Sequence, residues 1–274
     1  MKWKADNEFV KVNGRTLYRN DMRVLGYTAT GVTFRFKGKK ASAVLLSDVE
    51  GRTQDSLAWM AVFVNDQTTP AKRFPLKEAE AEYTLYESDQ EAEVTITLMK
   101  YSEVEYAKCL IKEIITDSDT LLAPPQQKKR KMLIIGDSIT CGYGVEGDVE
   151  DEIFCTAKEN PSKAYSLLTA QELNAEYQIV AWNGKGVISA YIGEERDEPD
   201  PQWRLPFLYD YTDGGSEQDY YKKEEKDWEK WDHQSYQADI VTVYLGTNDA
   251  SYTREIPQRD QEFIDAYKVF LGRI

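Results

Sequence analysis

The chain carries, at residues 132–140, Met132-Leu133-Ile134-Ile135-Gly136-Asp137-Ser138-Ile139-Thr140, four apolar residues followed at once by a polar turn. A short apolar run that ends on Gly-Asp-Ser predicts a buried strand leading into a tight turn. In α/β folds a nucleophile is presented at such a position, where a strand ends and a helix begins. Ser138 is therefore the candidate nucleophile.

The sequence that surrounds this stretch alternates strand and helix patterns. Apolar runs at 177–181 and 239–245 predict two further strands, and the spacing at 163–173 predicts a helix between the first two. Residues 257–274 are predicted to form a final amphipathic helix. Strands separated by helices indicate a parallel sheet with right-handed crossovers.

The amino-terminal part of the chain has a different pattern. Segments 32–36, 83–86 and 94–98 alternate apolar and polar residues, and 58–64 is a more buried run. Short β-branched and aromatic segments between turn residues predict a β-sandwich or jelly roll, which we assign to residues 1–122.

Residues 123–131 are predicted to be a linker, because Pro124 and Pro125 interrupt regular structure and a basic run follows them. That run is short and lies in an acidic chain, so it is interpreted as solvated and not as a nucleic-acid contact. The second domain then spans 132–274.

The overall charge of the chain restricts the classes of ligand that it can bind. The formal net charge of -14 and the sequence pI of about 4.7 argue against nucleic acid and anionic membranes as ligands. The 18 Tyr and 6 Trp are compatible with carbohydrate binding or with β-rich cores. Three cysteines and one histidine form no disulfide framework and no metal spacing, so no metal and no cofactor are expected.

The amino terminus and the hydropathy pattern give an expectation about location. No apolar signal segment follows Met1, and no run approaches the ~18 apolar residues of a membrane span. These features predict a cytoplasmic protein, or a secreted one whose signal peptide has been removed.

Polar and glycine residues follow all three predicted strands of the second domain. They are Gly136-Asp137-Ser138, Asn183-Gly184-Lys185-Gly186 and Gly246-Thr247-Asn248-Asp249. In a parallel sheet these turns share the carboxyl edge, where ligands bind. Acyl transfer at this edge needs a nucleophile and donors for an oxyanion. The backbone N–H of Ser138, a glycine N–H and the Asn248 amide supply them; Gly186 is the preferred glycine and Gly184 the alternative.

These blocks resemble the first three sequence blocks of the GDSL, or SGNH, hydrolases. With an amino-terminal β domain of this length, the chain resembles the family-two carbohydrate esterases along almost its whole length. The resemblance implies an α/β/α, flavodoxin-like second domain and removal of acetyl groups from xylan or related sugars. It also implies Ser138 as nucleophile, an oxyanion hole made by Ser138, Gly186 and Asn248, and no cofactor.

The histidine that this family uses as a base is not found where the family has it. Family members carry it late in the chain, after the Asn block, whereas His233 precedes the third predicted strand and is interpreted as a surface loop residue. A parallel sheet of three strands also leaves an edge exposed. We therefore expect a version of a longer esterase that is truncated at its carboxyl terminus.

Further expectations concern the substrate. The acidic, Trp- and Tyr-rich segment 194–236 either walls a binding site or is a solvated excursion. Trp182, Trp203 and Trp231 are candidate sugar-binding residues. Two alternatives remain: a lipase or acyl-thioesterase on the same fold, and a carbohydrate-binding protein without turnover.

Overall fold

The structure of the protein, a computed structural model, describes residues 1–148 and 153–274. The first part of the chain is all-β, as its alternating pattern predicts. Its ten strands form one antiparallel sheet with the central order β3-β4-β9-β5-β8-β6-β7. They are β1 (Lys2–Trp3), β2 (Lys11–Asn13), β3 (Leu17–Arg19), β4 (Met22–Leu25), β5 (Gly31–Ser47), β6 (Trp59–Val64), β7 (Lys72–Pro75), β8 (Glu80–Lys100), β9 (Cys109–Thr116) and β10 (Leu121–Leu122).

Two long strands curl this sheet. β5 has 17 residues and β8 has 21, and their pairing shifts register near Gly38 and again after Ala41. Such irregularities bend a strand and increase its twist. The first part of β5 pairs with β2 and the last part with β9. The β domain is therefore one curled sheet, a half-barrel, whose concave side encloses a core that includes Phe34, Val62 and Ile96.

The second domain contains a three-stranded parallel sheet, as predicted. Its strands are β11 (Arg130–Gly136), β12 (Ala175–Ala181) and β13 (Ile240–Tyr244), with β11 in the centre. The helices in the described part of this domain are α1 (Ser138–Cys141), α2 (Tyr165–Glu172), α3 (Leu205–Leu208), α4 (Gly214–Asp219), α5 (Ala250–Thr253) and α6 (Pro257–Leu271).

The two faces of β11 pack in different directions because successive side chains of a strand alternate. Met132 and Ile134 share a core with Leu167 of α2 and also with Ala61 and Tyr101 of the β domain. Leu133 and Ile135 share the opposite core with Trp182, Leu208 and Phe270. The β domain thus packs directly on the parallel sheet.

The outer edge of β13 and the neighbouring surface of α6 expose apolar side chains. Val241 is 43% exposed, Tyr244 51%, Val269 67% and Leu271 48%. β13 pairs only with β11, which leaves its other edge without a strand among the described residues. Within residues 1–148 and 153–274, no helix has the length and apolar character needed to cross a bilayer.

Candidate active site

The three predicted turns lie together at the carboxyl edge of the parallel sheet. Gly136, the last residue of β11, is aligned with Ala181 of β12 and with Tyr244 of β13. The chain leaves all three strands at the same level, so the segments that begin at 137, 182 and 245 meet there.

The turn after β11 is fixed by Asp137. Its carboxylate is fully buried and accepts the amide of Ile139 at 3.0 Å, which caps α1. A Cβ at Gly136 would overlap the Thr140 side chain, so only glycine fits before the turn. Ser138 is the first residue of α1, where the backbone N–H has no acceptor within the helix. That amide, beside the half-buried Ser138 side chain, is available to an oxyanion.

Asn248 connects the three turns. Its Nδ2 donates to the carbonyl oxygen of Lys185 at 3.0 Å and to Oδ2 of Asp137 at 3.3 Å. Asn248 is 8% exposed, so these contacts are shielded from water. To donate to an oxyanion, Nδ2 has to give up one of these two hydrogen bonds, and the longer one, to Asp137, is the weaker.

Asp249 holds the glycine loop. Its Oδ1 accepts the amides of Val187 at 2.9 Å, Ile188 at 2.7 Å and Ser189 at 3.1 Å. Asp249 is 1% exposed, and this burial raises its pKa although the amide hydrogen bonds oppose the shift. Asp249 therefore positions the loop.

The two candidate glycines differ in their surroundings. A Cβ at Gly186 would overlap the carbonyl oxygen of Ser189 and the carboxylate of Asp249, whereas a Cβ at Gly184 would meet open space. Gly184 instead has a φ of +71°, which the local turn requires. Gly186 adjoins Lys185, the residue that Asn248 contacts, and its N–H has no intramolecular acceptor in the part of the chain that the structure describes.

The three predicted sugar-binding tryptophans lie in different environments. Trp182 is 1% exposed and belongs to the core, which leaves little ring surface for a sugar. Trp203 is half-buried, lies 5.7 Å from Trp182 between ring centroids, and has a φ of +52°, a strained value for a bulky residue. Trp231 packs under the guanidinium of Arg15, 4.5 Å from its ring centroid.

His233 lies far from Ser138. Its Nε2 is 3.8 Å from Asp210, and the turn that contains it is followed by Tyr236, whose hydroxyl donates to the carbonyl of Met132 at 3.2 Å. Met132 is near the amino end of β11, about 13 Å along the strand from Gly136, after which the turn to Ser138 begins, at ~3.3 Å per strand residue. Trp231, whose amide donates to the carbonyl of Asp210, lies in the same region.

Two features of the site were not predicted from sequence. Tyr191 is 65% exposed at the end of the glycine loop, where its amide donates to the carbonyl of Gly184 at 2.7 Å. The one feature of the sequence that could have identified Tyr191 is its position five residues after Gly186. Glu103, from the β domain, accepts the amide of Asn183 at 2.7 Å. Nothing in its polar local sequence indicates burial.

No group of three or more His, Cys, Asp or Glu side chains is arranged to hold a metal ion in the two described ranges.

Comparison with known proteins agrees with this architecture. Residues 12–125 match the model of the family described as "Carbohydrate esterase 2 N-terminal", and residues 132–269 match that of "GDSL-like Lipase/Acylhydrolase". An acetylxylan esterase / glucomannan deacetylase of Cellvibrio japonicus is 26% identical over 268 residues, which are 97% of this chain and 68% of the relative. The cellulase/esterase CelE of Acetivibrio thermocellus is 27% identical over 98% of this chain, but the match spans 30% of that relative.

Solved structures have the same two-domain architecture. A family two carbohydrate esterase from Clostridium thermocellum, in complex with cellohexaose, superposes with a TM-score of 0.78 at 26% identity, covering 96% of this chain and 73% of that one. An acetyl xylan esterase from Butyrivibrio proteoclasticus has a TM-score of 0.83 at 22% identity, covering 100% and 77%. The chain thus belongs to the GDSL-like lipases and acylhydrolases, which are carboxylic ester hydrolases, and carries the amino-terminal domain of carbohydrate esterase family 2.

Proposed function

We propose that this protein removes acetyl groups from acetylated xylan or xylo-oligosaccharides, with Ser138 as the nucleophile. The observation that carries the proposal is the convergence of Ser138, Gly186 and Asn248 at one sheet edge, linked through the Asn248 side chain. The named activities of the relatives, acetylxylan esterase and glucomannan deacetylase, support the substrate class.

The mechanism follows from the donors. Oγ of Ser138 attacks the acetyl carbonyl, and the carbonyl oxygen becomes an oxyanion. The amides of Ser138 and Gly186 and the Nδ2 of Asn248 stabilise that oxyanion, and each such donor is worth ~2.7–4 kcal/mol in the transition state. The sugar hydroxyl leaves with a proton, and water then releases acetate from Ser138.

The proton acceptor in this proposal is an imidazole that these 274 residues do not place beside Ser138. His233, the single histidine of the sequence, lies near the opposite end of β11. We expect small-molecule imidazole, a base of suitable pKa, to accept the proton of Ser138 in its place. This makes the base testable separately from the nucleophile.

Sugar recognition is assigned to the aromatic groups at the rim. Trp203 presents a half-buried ring and Tyr191 an exposed one. Rings of this kind bind the apolar faces of sugars. A lipase or thioesterase would instead prefer long acyl chains, so activity that rises with acyl length would contradict the carbohydrate assignment.

The deciding experiment measures acetate release from acetylated xylo-oligosaccharides, with and without added imidazole. Alkyl acetates react slowly with imidazole alone, so release that requires the protein reports the site. We expect release that imidazole enhances and that Ser138→Ala abolishes, whereas Ser235→Ala, a change at an exposed turn, has no effect. If oligosaccharide binds but acetate is never released, the carbohydrate-binding alternative is favoured.

A further inference from the structure

A glutamate of the β domain reaches into the active-site region. Glu103 lies just beyond the end of β8 and is fully buried. Its Oε2 accepts the amide of Asn183 at 2.7 Å and a long hydrogen bond from the thiol of Cys141 at 3.9 Å. Asn183 begins the loop that contains Gly186, and Cys141 ends the helix that begins with Ser138. One carboxylate oxygen therefore contacts two of the three segments that carry the proposed oxyanion donors, those of Ser138 and Gly186.

A second buried glutamate adjoins the first. Oε2 of Glu159, which is also fully buried, accepts the backbone amide of Glu103 at 2.9 Å. The other oxygen of each carboxyl group, Oε1, is buried and has no hydrogen-bond partner in the described part of the chain. An ionised carboxylate can only accept, whereas a protonated one can also donate. Two buried, unpartnered acceptors side by side are the arrangement in which one proton is retained.

The charge balance of the cluster leads to the same conclusion. The ammonium group of Lys100 is fully buried and donates to the carbonyl oxygens of Gly26, Ser102 and Glu103 at 2.7–2.9 Å. The second fully buried ammonium group, that of Lys108, is paired with Asp219 at 2.9 Å, and the buried Asp213 also faces Lys100. The charge of Lys100 therefore cannot balance both glutamates, so one of them is left to carry a proton. The other titratable groups around the pair and Lys100 are Glu105, Tyr106, Lys108, Cys109, Asp137, Cys141, Tyr143 and Asp213.

We propose that Glu103 is a positioning residue for the esterase site, and that the pair Glu103–Glu159, holding one shared proton, fixes the glycine loop and the nucleophile helix against the β domain. The inference rests on the proposed function for its catalytic consequence, but the coupling itself is a property of the fold. Loss of that proton places two negative charges next to each other, and their repulsion displaces the Glu103 carboxylate together with the loop that it holds through Asn183.

The titration of the pair supports this arrangement. Burial raises the pKa of Glu159 to about 8, and burial together with neighbouring Glu159 raises the pKa of Glu103 well above its usual range. Burial, with Lys108 nearby, lowers the pKa of Lys100 to about 8. The loop should therefore respond to pH on the alkaline side of neutrality.

The test follows the backbone amide resonances of Asn183 and Gly186, and the carboxyl carbons of labelled glutamate, from about pH 6 to about pH 10. We expect the amides and the carboxyl carbons to shift together, with an apparent pKa near 8. Glu159→Gln should abolish the amide shift, whereas Glu194→Gln, at an exposed neighbouring site, should preserve it. The carboxyl carbons separate this titration from that of Lys100. Amides that do not move with pH, or an unchanged titration in Glu159→Gln, would overturn the proposal.

A kinetic arm distinguishes positioning from stability. With turnover supported by imidazole, Glu103→Ala should lower kcat by ~10–100-fold with little change in KM, because small displacements of catalytic groups have effects of this size. Glu103→Gln retains an acceptor for Asn183 and should restore kcat. Equal kcat for Glu103→Ala and the unmodified protein, well below their melting temperatures, would refute the positioning role. If no protein turns over, the proposed function fails, while the amide titration still decides the coupling.

Discussion

Replacing Asp249 by alanine removes one side chain and leaves three backbone donors without their acceptor. The carboxylate accepts the amides of Val187, Ile188 and Ser189 at 2.7–3.1 Å. Val187 is 2% exposed and Ser189 is fully buried, whereas Ile188 is partly exposed. Water can therefore replace the carboxylate at Ile188 but not at the other two amides.

The expected loss of stability follows from these burials. A hydrogen bond to a charged group contributes about 1.5–3 kcal/mol, so two that water cannot replace contribute about 3–6 kcal/mol. Removing the buried charge offsets part of this loss of stability, because burial of the Asp249 carboxylate is itself unfavourable and raises its pKa. We expect the free energy of unfolding of Asp249→Ala to fall by about 3–5 kcal/mol, a large part of the ~5–15 kcal/mol typical of a domain.

Urea unfolding at neutral pH measures this change, and Asp117→Ala is the matched control. Asp117 also accepts backbone amides, those of Lys39 and Lys40 at 3.0–3.2 Å, but it is exposed. Its amides become solvated when the carboxylate is removed, so the control should lose much less stability. Equal losses in the two variants would refute the reasoning, because burial of the amides would then not determine the cost.

Three further outcomes are expected. Gly186→Ala should abolish acetate release, because the added Cβ overlaps backbone and carboxylate atoms. Gly184→Ala should cost only ~1–2 kcal/mol of backbone strain and should keep the activity. The reverse result would assign the oxyanion donor to Gly184. The free energy of unfolding should fall as pH rises from about 4.5 to about 8, because in this range the folded state keeps the proton of Glu159 and the unfolded state loses it. In urea unfolding, Glu159→Gln should show a shallower dependence of this free energy on pH. Arg15→Met should lower stability by at least ~3 kcal/mol, because the buried guanidinium donates to a glutamine side chain and to two backbone carbonyls; a loss under ~1 kcal/mol in urea would contradict this.

The strands of the second domain could be predicted because parallel strands buried on both faces are continuously apolar. Residues 132–135 are buried throughout, as their composition predicts. The short strand-end motifs were equally informative, since Ser138 and Asn248 do lie at one edge. Local sequence sufficed there because the strand and its turn are adjacent in the chain.

The continuity of β8 could not be predicted. Segments 83–86 and 94–98 are predicted as separate strands, but both belong to β8 (Glu80–Lys100). The residues between them are polar and largely exposed, and their strand conformation is maintained by pairing with β5, as between Lys40 and Glu87. Backbone pairing between β5 and β8, and not side-chain burial, fixes that part of the strand, so no apolar pattern marks it.

Burial of the charged residues at the domain contact could also not be predicted from the sequence. Glu103 is 56 residues from Glu159, and Arg15 is 163 residues from its partner Gln178. Each of these side chains has a polar local sequence typical of a surface, and only the packing of the β domain on the parallel sheet encloses them. Local periodicity carries no information about such a contact.

The β domain is therefore part of the site's framework as well as a neighbour of it. The glycine loop is held at its start by Glu103 of the β domain, through Asn183, and at its end by Asp249 of the catalytic domain. Gly186 lies between these two buried carboxyl groups. A donor that must meet an oxyanion within a few tenths of an ångström benefits from anchors on both sides, because neither anchor alone fixes the peptide planes between them. The geometry of the edge thus depends on a contact between the catalytic domain and a β domain that also has a core of its own.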